Sequence, residues 1–181
     1  MPQGNLYGRR KVTLCPFILF WPSFIMVEVN EQISVPSAPR TVWKLLSDPR
    51  AVVDCVPGAA LGEEQEDGSF DSSVTIKFGP AKVAFHARVA LELDDAAMVG
   101  HVTSRGKDNQ GGTRFQASMT FRVVEQVEPP GSTVRIEAKV EISGRLASLV
   151  ETGAGLVVKR MTAEFSERLA ARCAEASAAQ A

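Results

Sequence analysis

The chain has 181 residues, of which 45% are hydrophobic and 23% charged, a composition typical of one globular domain with its own core. The formal net charge is −1, and once the three basic residues of the first segment are set aside, 17 Lys and Arg stand against 21 Asp and Glu. A net acidic body without a basic stripe lacks the phosphate-neutralising surface of a nucleic-acid binder, so we exclude nucleic acid as a partner. The three cysteines are far apart and in no zinc spacing, which argues against a disulfide framework or a metal site and is typical of a reducing compartment.

Residues 1–25 combine a basic stub with an apolar run, the outline of a signal peptide. Two prolines interrupt the run, which is too short for a membrane-spanning helix, and no small-residue cleavage site follows it. We therefore favour translation that starts at Met26, with residues 1–25 as an upstream or disordered extension, over a genuine membrane-directing leader. Residues 26–176 are expected to form the single domain, and residues 177–181 a tail.

The domain is predicted to begin with a strand and two short helices. Residues 27–35 alternate apolar and polar side chains at period two, which predicts the strand. Ser37 is the predicted N-cap of the first helix, with Pro39 in its first turn, where a missing N–H costs nothing. Asp48 is the predicted cap of the second helix, which Pro57 and the glycine after it bring to an end.

The rest of the chain is predicted to form an antiparallel sheet and one long helix. Alternating apolar and polar residues predict six strands, a weak one over residues 60–64 and stronger ones over 70–78, 81–93, 98–105, 113–124 and 133–142. From Arg145 the apolar period becomes helical, and one stripe continues to Cys173. Because the only large apolar surface available to this stripe is the front of the sheet, the predicted fold class is α+β, with the sheet wrapped around the C-terminal helix.

The sequence contains no arrangement of residues that points to a reaction. His86 and His101 are the only imidazoles, His86 is predicted on the polar face of its strand, and no nucleophile motif is present. We therefore predict no catalytic residue, no metal ligand and no cofactor, and we expect that the protein is not an enzyme. Gly153 and Gly155 leave two alternatives open, a close contact between helix and sheet or a deliberate lack of side-chain volume that leaves space there. Cys55, with no basic neighbour in sequence, is expected to be a small buried hydrophobe.

Four segments carry a resemblance to a known family. They are VEVNEQISVPSAPRTVWKLLSDP, CVPGAAL, VTIKFGPAKVAFHARVALEL and GRLASLVETGAGLVVKRMTAEFSERLAA, in this order over residues 27–172. In them the chain resembles the CoxG family, named after carbon monoxide dehydrogenase, of the START-like, polyketide-cyclase-like SRPBCC superfamily. The resemblance implies a helix-grip fold, in which a curved antiparallel sheet grips the long C-terminal helix around an apolar cavity. It also implies that residues 48–61, with their two short helical turns, form the wall or lid of that cavity.

The resemblance leads to three hypotheses about function. The first is a non-enzymatic carrier or accessory protein that binds a quinone- or lipid-like molecule and is associated with a molybdenum hydroxylase of the carbon monoxide dehydrogenase type. Such a protein is expected in the cytoplasm, with transient contact at the inner face of the membrane. The second is a pure protein–protein adaptor with a filled core, and the third is a cyclase or hydratase acting on an apolar substrate. For the first, the predicted cavity lining is Val53, Cys55, Val56, Pro57, Phe78, Phe85, Val89, Phe115, Met119, Phe121, Gly153, Leu156, Val157 and Met161.

Overall fold

The structure, a computed structural model, describes residues 24–179, in which one antiparallel sheet packs against three helices. The sheet has seven strands in the order β1-β7-β6-β5-β4-β3-β2, so every strand from β2 onward pairs with its neighbours in sequence. The predicted α+β class, with two short helices after the first strand and one long helix at the end, is confirmed. The elements are β1 (Phe24–Val35), α1 (Pro39–Leu46), α2 (Pro49–Val53), β2 (Ala59–Glu64), β3 (Phe70–Phe78), β4 (Ala81–Asp94), β5 (Val99–Asp108), β6 (Thr113–Gln126), β7 (Gly131–Gly144) and α3 (Ala147–Ala178).

The first strand begins earlier than its sequence pattern predicts. β1 starts at Phe24 rather than Val27, because residues 24–26 continue the antiparallel pairing with residues 141–143 of β7. The predictions for the first segment, apart from its last two residues, lie outside the described residues, as does the end of the predicted tail.

The two short helices differ in how their first turns are capped. Ser37 does not cap α1, because the N-cap is Ala38, which forms no side-chain hydrogen bond. The reason is that Pro39 opens the helix and holds the residue before it in an extended conformation. The prediction for α2 is confirmed, since the Oδ1 atom of Asp48 accepts hydrogen bonds from two backbone N–H groups of the first turn, at 2.9 and 3.3 Å.

Two filled apolar clusters hold the helices on the front of the sheet, one toward each end of α3. The first contains Trp43 of α1, whose ring centroid lies 5.8 Å from that of Phe121, together with Leu169 from the second half of α3. The Nε1 atom of Trp43 donates a 2.7 Å hydrogen bond to Asp95 in the β4–β5 turn, which fixes α1 against the sheet. The second cluster lies under the first turns of α3 and contains Phe78, Val83, Phe85, Ile142 and Val150.

Candidate functional site

An apolar cavity of about 380 Å³ lies between the two filled clusters. Its volume falls in the range of small-molecule binding sites. One side is formed by α2 and the turn after it, one by α3, and the floor by the inner face of the sheet. The lining residues are Ile33, Leu46, Pro49, Val52, Val53, Val56, Pro57, Ala59, Ala60, Leu61, Phe70, Ser72, Ser73, Val74, Val89, Leu91, Val102, Met119, Phe121, Val134, Ile136, Met161, Thr162 and Phe165.

The chemistry of the cavity wall is almost entirely that of hydrocarbon. The polar side chains in it are the hydroxyls of Ser72, Ser73 and Thr162, and none of the described residues that line it carries a titratable group. The Ser72 hydroxyl lies 3.4 Å from the backbone carbonyl of Ala87, a long hydrogen bond. This wall is suited to bury an apolar molecule and to orient one or two of its polar atoms through hydroxyl hydrogen bonds.

The cavity stays open because the largest side chains of the inner face lie toward the ends of the sheet. The rings of Phe85 and Phe115 meet edge to face, 5.6 Å apart, inside the second cluster. The centre of the same face carries Val89, Val102 and Met119, which remain half-buried. Since α3 packs chiefly against β1 rather than the central strands, its described side chains leave the space above these three residues open.

The two glycines of α3 do not create the cavity. A Cβ atom on Gly153 would meet the Phe78 ring at 3.0 Å, so this glycine permits a close contact between helix and sheet. Gly155 is exposed, and a Cβ atom there would meet nothing within 4 Å. Of the two alternatives that the sequence leaves open, the structure has the close contact, at the first glycine alone.

Half of the residues predicted to line a cavity do so, and the others lie elsewhere. Those in the wall are Val53, Val56, Pro57, Val89, Met119, Phe121 and Met161. Three predicted phenylalanines, Phe78, Phe85 and Phe115, belong to the second cluster, because residues of one face can lie far apart along a strand. Phe85 and Val89, for example, are about 13 Å apart at about 3.3 Å per residue.

The predicted residues of α3 and Cys55 also divide. Leu156 lies on the outer side of the helix with 76% of its surface exposed, and Gly153 packs on the Phe78 ring. Val157 lines a separate groove on the far side of Pro57. Cys55 is fully buried, as expected for a small hydrophobe, but does not line the cavity.

Several lining residues that sequence reasoning missed come from β3 and β5. Phe70, Ser72 and Val74 alternate along β3 and face the cavity together, yet the serine obscures the apolar pattern. Val102 is the inward residue of a strand whose neighbours are polar or glycine. The alternation of Phe70 and Val74 at period two was the available signal for this wall.

Ion pairs hold the turn between α2 and β2 against α3. Asp54 accepts a 2.7 Å hydrogen bond from the guanidinium of Arg172, and its backbone carbonyl lies 3.4 Å from Arg168 Nη1. Burial raises the pKa of the neighbouring Cys55 thiol, and it raises the pKa of Cys173 to about 11, with a smaller contribution from Cys55. Both cysteines therefore remain neutral thiols near pH 7, which suits packing rather than nucleophilic chemistry.

Groups that commonly signal catalysis or metal binding lie away from the cavity. His86 is exposed on the outer face of the sheet, as predicted, and the Nδ1 atom of the exposed His101 lies 3.0 Å from the Thr120 hydroxyl. Among residues 24–179 no group of three or more candidate metal ligands is found. No helix within the same residues is long and apolar enough to cross a membrane.

Comparison with solved structures identifies the class of fold. A conserved protein from Geobacillus kaustophilus superposes with a TM-score of 0.70 at 17% identity, over 82% of this chain and 96% of that one. The Zhui aromatase/cyclase from Streptomyces sp. R1128 gives a TM-score of 0.56 at 16% identity, over 82% and 94%. A norcoclaurine synthase point mutant from Thalictrum flavum gives 0.52 at 16% identity, over 85% and 98%. At these identities the likeness shows the fold alone, and it confirms the helix-grip, polyketide-cyclase-like class that the sequence predicts.

Comparison with family models identifies the family within that class. The model for the carbon monoxide dehydrogenase family CoxG matches residues 31–174, well over half of the chain. This chain belongs to the CoxG family, as its sequence segments predict. Comparison with curated proteins finds no match.

Proposed function

We propose that this protein is a non-enzymatic carrier that binds a lipophilic, quinone- or lipid-like molecule and serves a molybdenum hydroxylase of the carbon monoxide dehydrogenase type. The observation that carries the first half is the cavity of about 380 Å³, with apolar walls and only hydroxyls as polar groups. The second half rests on membership of the CoxG family, whose name refers to carbon monoxide dehydrogenase. The proposal includes transient contact with the inner face of a membrane, since quinones and lipids reside in the bilayer.

The size and chemistry of the cavity support a chain-like cargo. A volume of about 380 Å³ has room for about 12 groups of roughly 30 Å³ each, the share of one water molecule in the liquid. Each methylene group removed from water contributes about 0.8 kcal/mol, so about ten of them contribute about 8 kcal/mol before the cost of immobilising the chain. This is enough for useful binding without any charged contact.

The same wall argues against the cyclase or hydratase hypothesis. General acid–base catalysis needs a proton donor or acceptor of suitable pKa within hydrogen-bond reach of the reacting atom. The described residues of the wall supply three hydroxyls, and none has a titratable base among the other lining residues to activate it. Such hydroxyls orient a bound molecule but do not by themselves drive its reaction.

The carrier proposal is tested by native mass spectrometry and organic extraction of the purified protein, with two matched variants. Val102 faces the cavity, whereas its neighbour Thr103 is exposed on the outer face of the same strand. We expect the parent and Thr103→Phe to carry a lipophilic molecule, or to bind added ubiquinone-1, and Val102→Phe to lose it because the new ring occupies the cavity. A folded parent that is empty and also fails to bind the added quinone or a fatty acid would leave the adaptor hypothesis as the better account.

The partner is tested separately from the cargo. We expect the parent protein to co-purify with a molybdenum hydroxylase when both are expressed together, and to retain its bound molecule when purified alone. Cargo binding without any retained hydroxylase would leave a carrier of different service, so the two halves of the proposal fail independently.

A further inference from the structure

A groove lined by basic residues adjoins the cavity. It has a volume of about 240 Å³ and shares Pro57 and Met161 with the cavity wall. Its basic side chains are Lys77, Lys82, Arg160 and Arg168, and Glu164 is the single carboxylate among its lining residues. Four cations against one anion make the groove locally positive on a chain whose net charge is −1.

Two of these cations are held together by the register of the sheet. Lys77 and Lys82 are direct cross-strand partners in the β3–β4 hairpin. The intervening turn fixes that register, because Gly79 adopts a φ of +59°, a left-handed conformation that glycine takes without strain. Like charges directly opposite each other on a sheet are destabilising. Within the described part of the chain, neither lysine has a carboxylate oxygen within 4.0 Å.

The carboxylate of the groove is already occupied by the arginines of α3. The Nε atom of Arg160 lies 2.9 Å from Glu164 Oε1, and an Nη atom of Arg168 lies 3.7 Å from Oε2. The hydrogen bond from Arg160 is the main cause that lowers the pKa of Glu164, and the charges of Arg168 and Lys77 act in the same direction. Glu164 is thus ionised at neutral pH and engaged along its own helix, which leaves the two lysines available to an external anion.

We propose that the groove binds the anionic head group, a carboxylate or phosphate, of an amphiphile whose chain lies in the cavity. This inference rests on the proposed function and narrows its cargo from a lipophilic molecule to an anionic one. The two lysine ammonium groups supply charge-assisted hydrogen bonds to the head group. Because the groove and the cavity meet at Pro57 and Met161, one molecule spans both without crossing the fold.

The test compares ligands that share a chain and differ in their head. Dodecanoic acid, dodecyl phosphate and 1-dodecanol are titrated into the parent, into Lys77→Gln/Lys82→Gln, and into the charge-preserving Lys77→Arg/Lys82→Arg. We expect the parent to bind the two anions about tenfold more tightly than the alcohol, which converts to about 1.4 kcal/mol. The glutamine variant should bind all three ligands with the parent's affinity for the alcohol, and the arginine variant should retain the preference.

A second pair of lysines controls for the loss of charge itself. Lys107 and Lys139 are exposed on β5 and β7, away from the groove, so Lys107→Gln/Lys139→Gln has the same change in net charge. This variant should keep the preference for anions. The melting temperature of the groove variant should not fall, because the substitution removes a like-charge pair.

Each outcome of the titration has one meaning. Equal affinity of the parent for acid and alcohol, or a preference that survives in the glutamine variant, overturns the head-group site while leaving the carrier function intact. Failure of every ligand to bind any variant overturns the carrier function itself. Inorganic phosphate that binds the parent as tightly as dodecyl phosphate would show a free-anion site without a chain, and would also overturn the proposal.

Discussion

The contact between Gly153 and Phe78 gives a prediction that separates packing from helix propensity. Replacing a helical glycine by alanine stabilises a helix by about 0.8–1.0 kcal/mol. Gly155→Ala should gain this amount in full, because its Cβ atom would enter open space. Gly153→Ala should gain the same propensity but place its Cβ atom 3.0 Å from the Cδ1 atom of Phe78, so the ring must move by a few tenths of an ångström.

The cost of that movement decides the sign of the change. Phe78 is 8% exposed and packs in the second cluster with Phe85 and Val150, so its ring has little free space. Overpacking of this kind costs about 1–3 kcal/mol, which makes Gly153→Ala neutral to about 2 kcal/mol destabilising after the gain in propensity.

Urea unfolding of the parent and both alanine variants at pH 7 measures the difference. We expect the midpoint of Gly155→Ala to rise and that of Gly153→Ala to fall or stay level, with unchanged m-values. A rise of equal size in both variants would refute the argument, because it would mean that the ring yields freely and that Gly153 is not required for the helix–sheet contact.

Two further predictions concern single side chains of the first cluster. Cys173 is fully buried, and its pKa is raised from 9.0 to about 11, so the folded state keeps a proton that the unfolded state loses. Its contribution to stability is complete below pH 9 and is lost as the pH rises to about 11, where the free energy of unfolding should fall by about 2–3 kcal/mol; urea unfolding at several pH values should show a flatter profile for Cys173→Ala. Trp43→Phe removes the 2.7 Å hydrogen bond to Asp95 and should cost about 1–3 kcal/mol by the same assay, whereas Asp95→Asn, which keeps an acceptor oxygen, should cost less. Equal losses in these two variants would contradict the hydrogen-bond explanation.

The sequence was sufficient to predict the order and type of the elements, because each carried its own periodicity. Period-two alternation fixes the strands from β3 to β7, and a stripe of period 3.6 fixes α3. The capping predictions show the limit of local patterns. Asp48 caps α2 because its carboxylate reaches the first turn, but Ser37 lies one residue too early once Pro39 has set the start of α1.

The cavity was harder to predict, because a face of a sheet is a local property and the filling of that face is not. Phe85 and Val89 face the same way, yet one is packed and the other faces the cavity. The difference depends on which part of the strand α3 covers, a tertiary fact absent from the pattern. On α3 itself, successive residues are rotated by about 100°, so Leu156 turns outward while Val157 faces the sheet side.

The division of the core into two filled clusters separates stability from binding. Trp43, Phe121 and Leu169 at one end, and Phe78 and Val150 at the other, anchor α3 without help from the centre of the sheet. The central wall can therefore stay half-buried and open, since the interactions that hold the fold together lie on either side of it. A filled core would serve an adaptor equally well, whereas an open apolar centre bounded by packed ends, with a pair of like-charged lysines at its edge, has a physical reason only when something else occupies it.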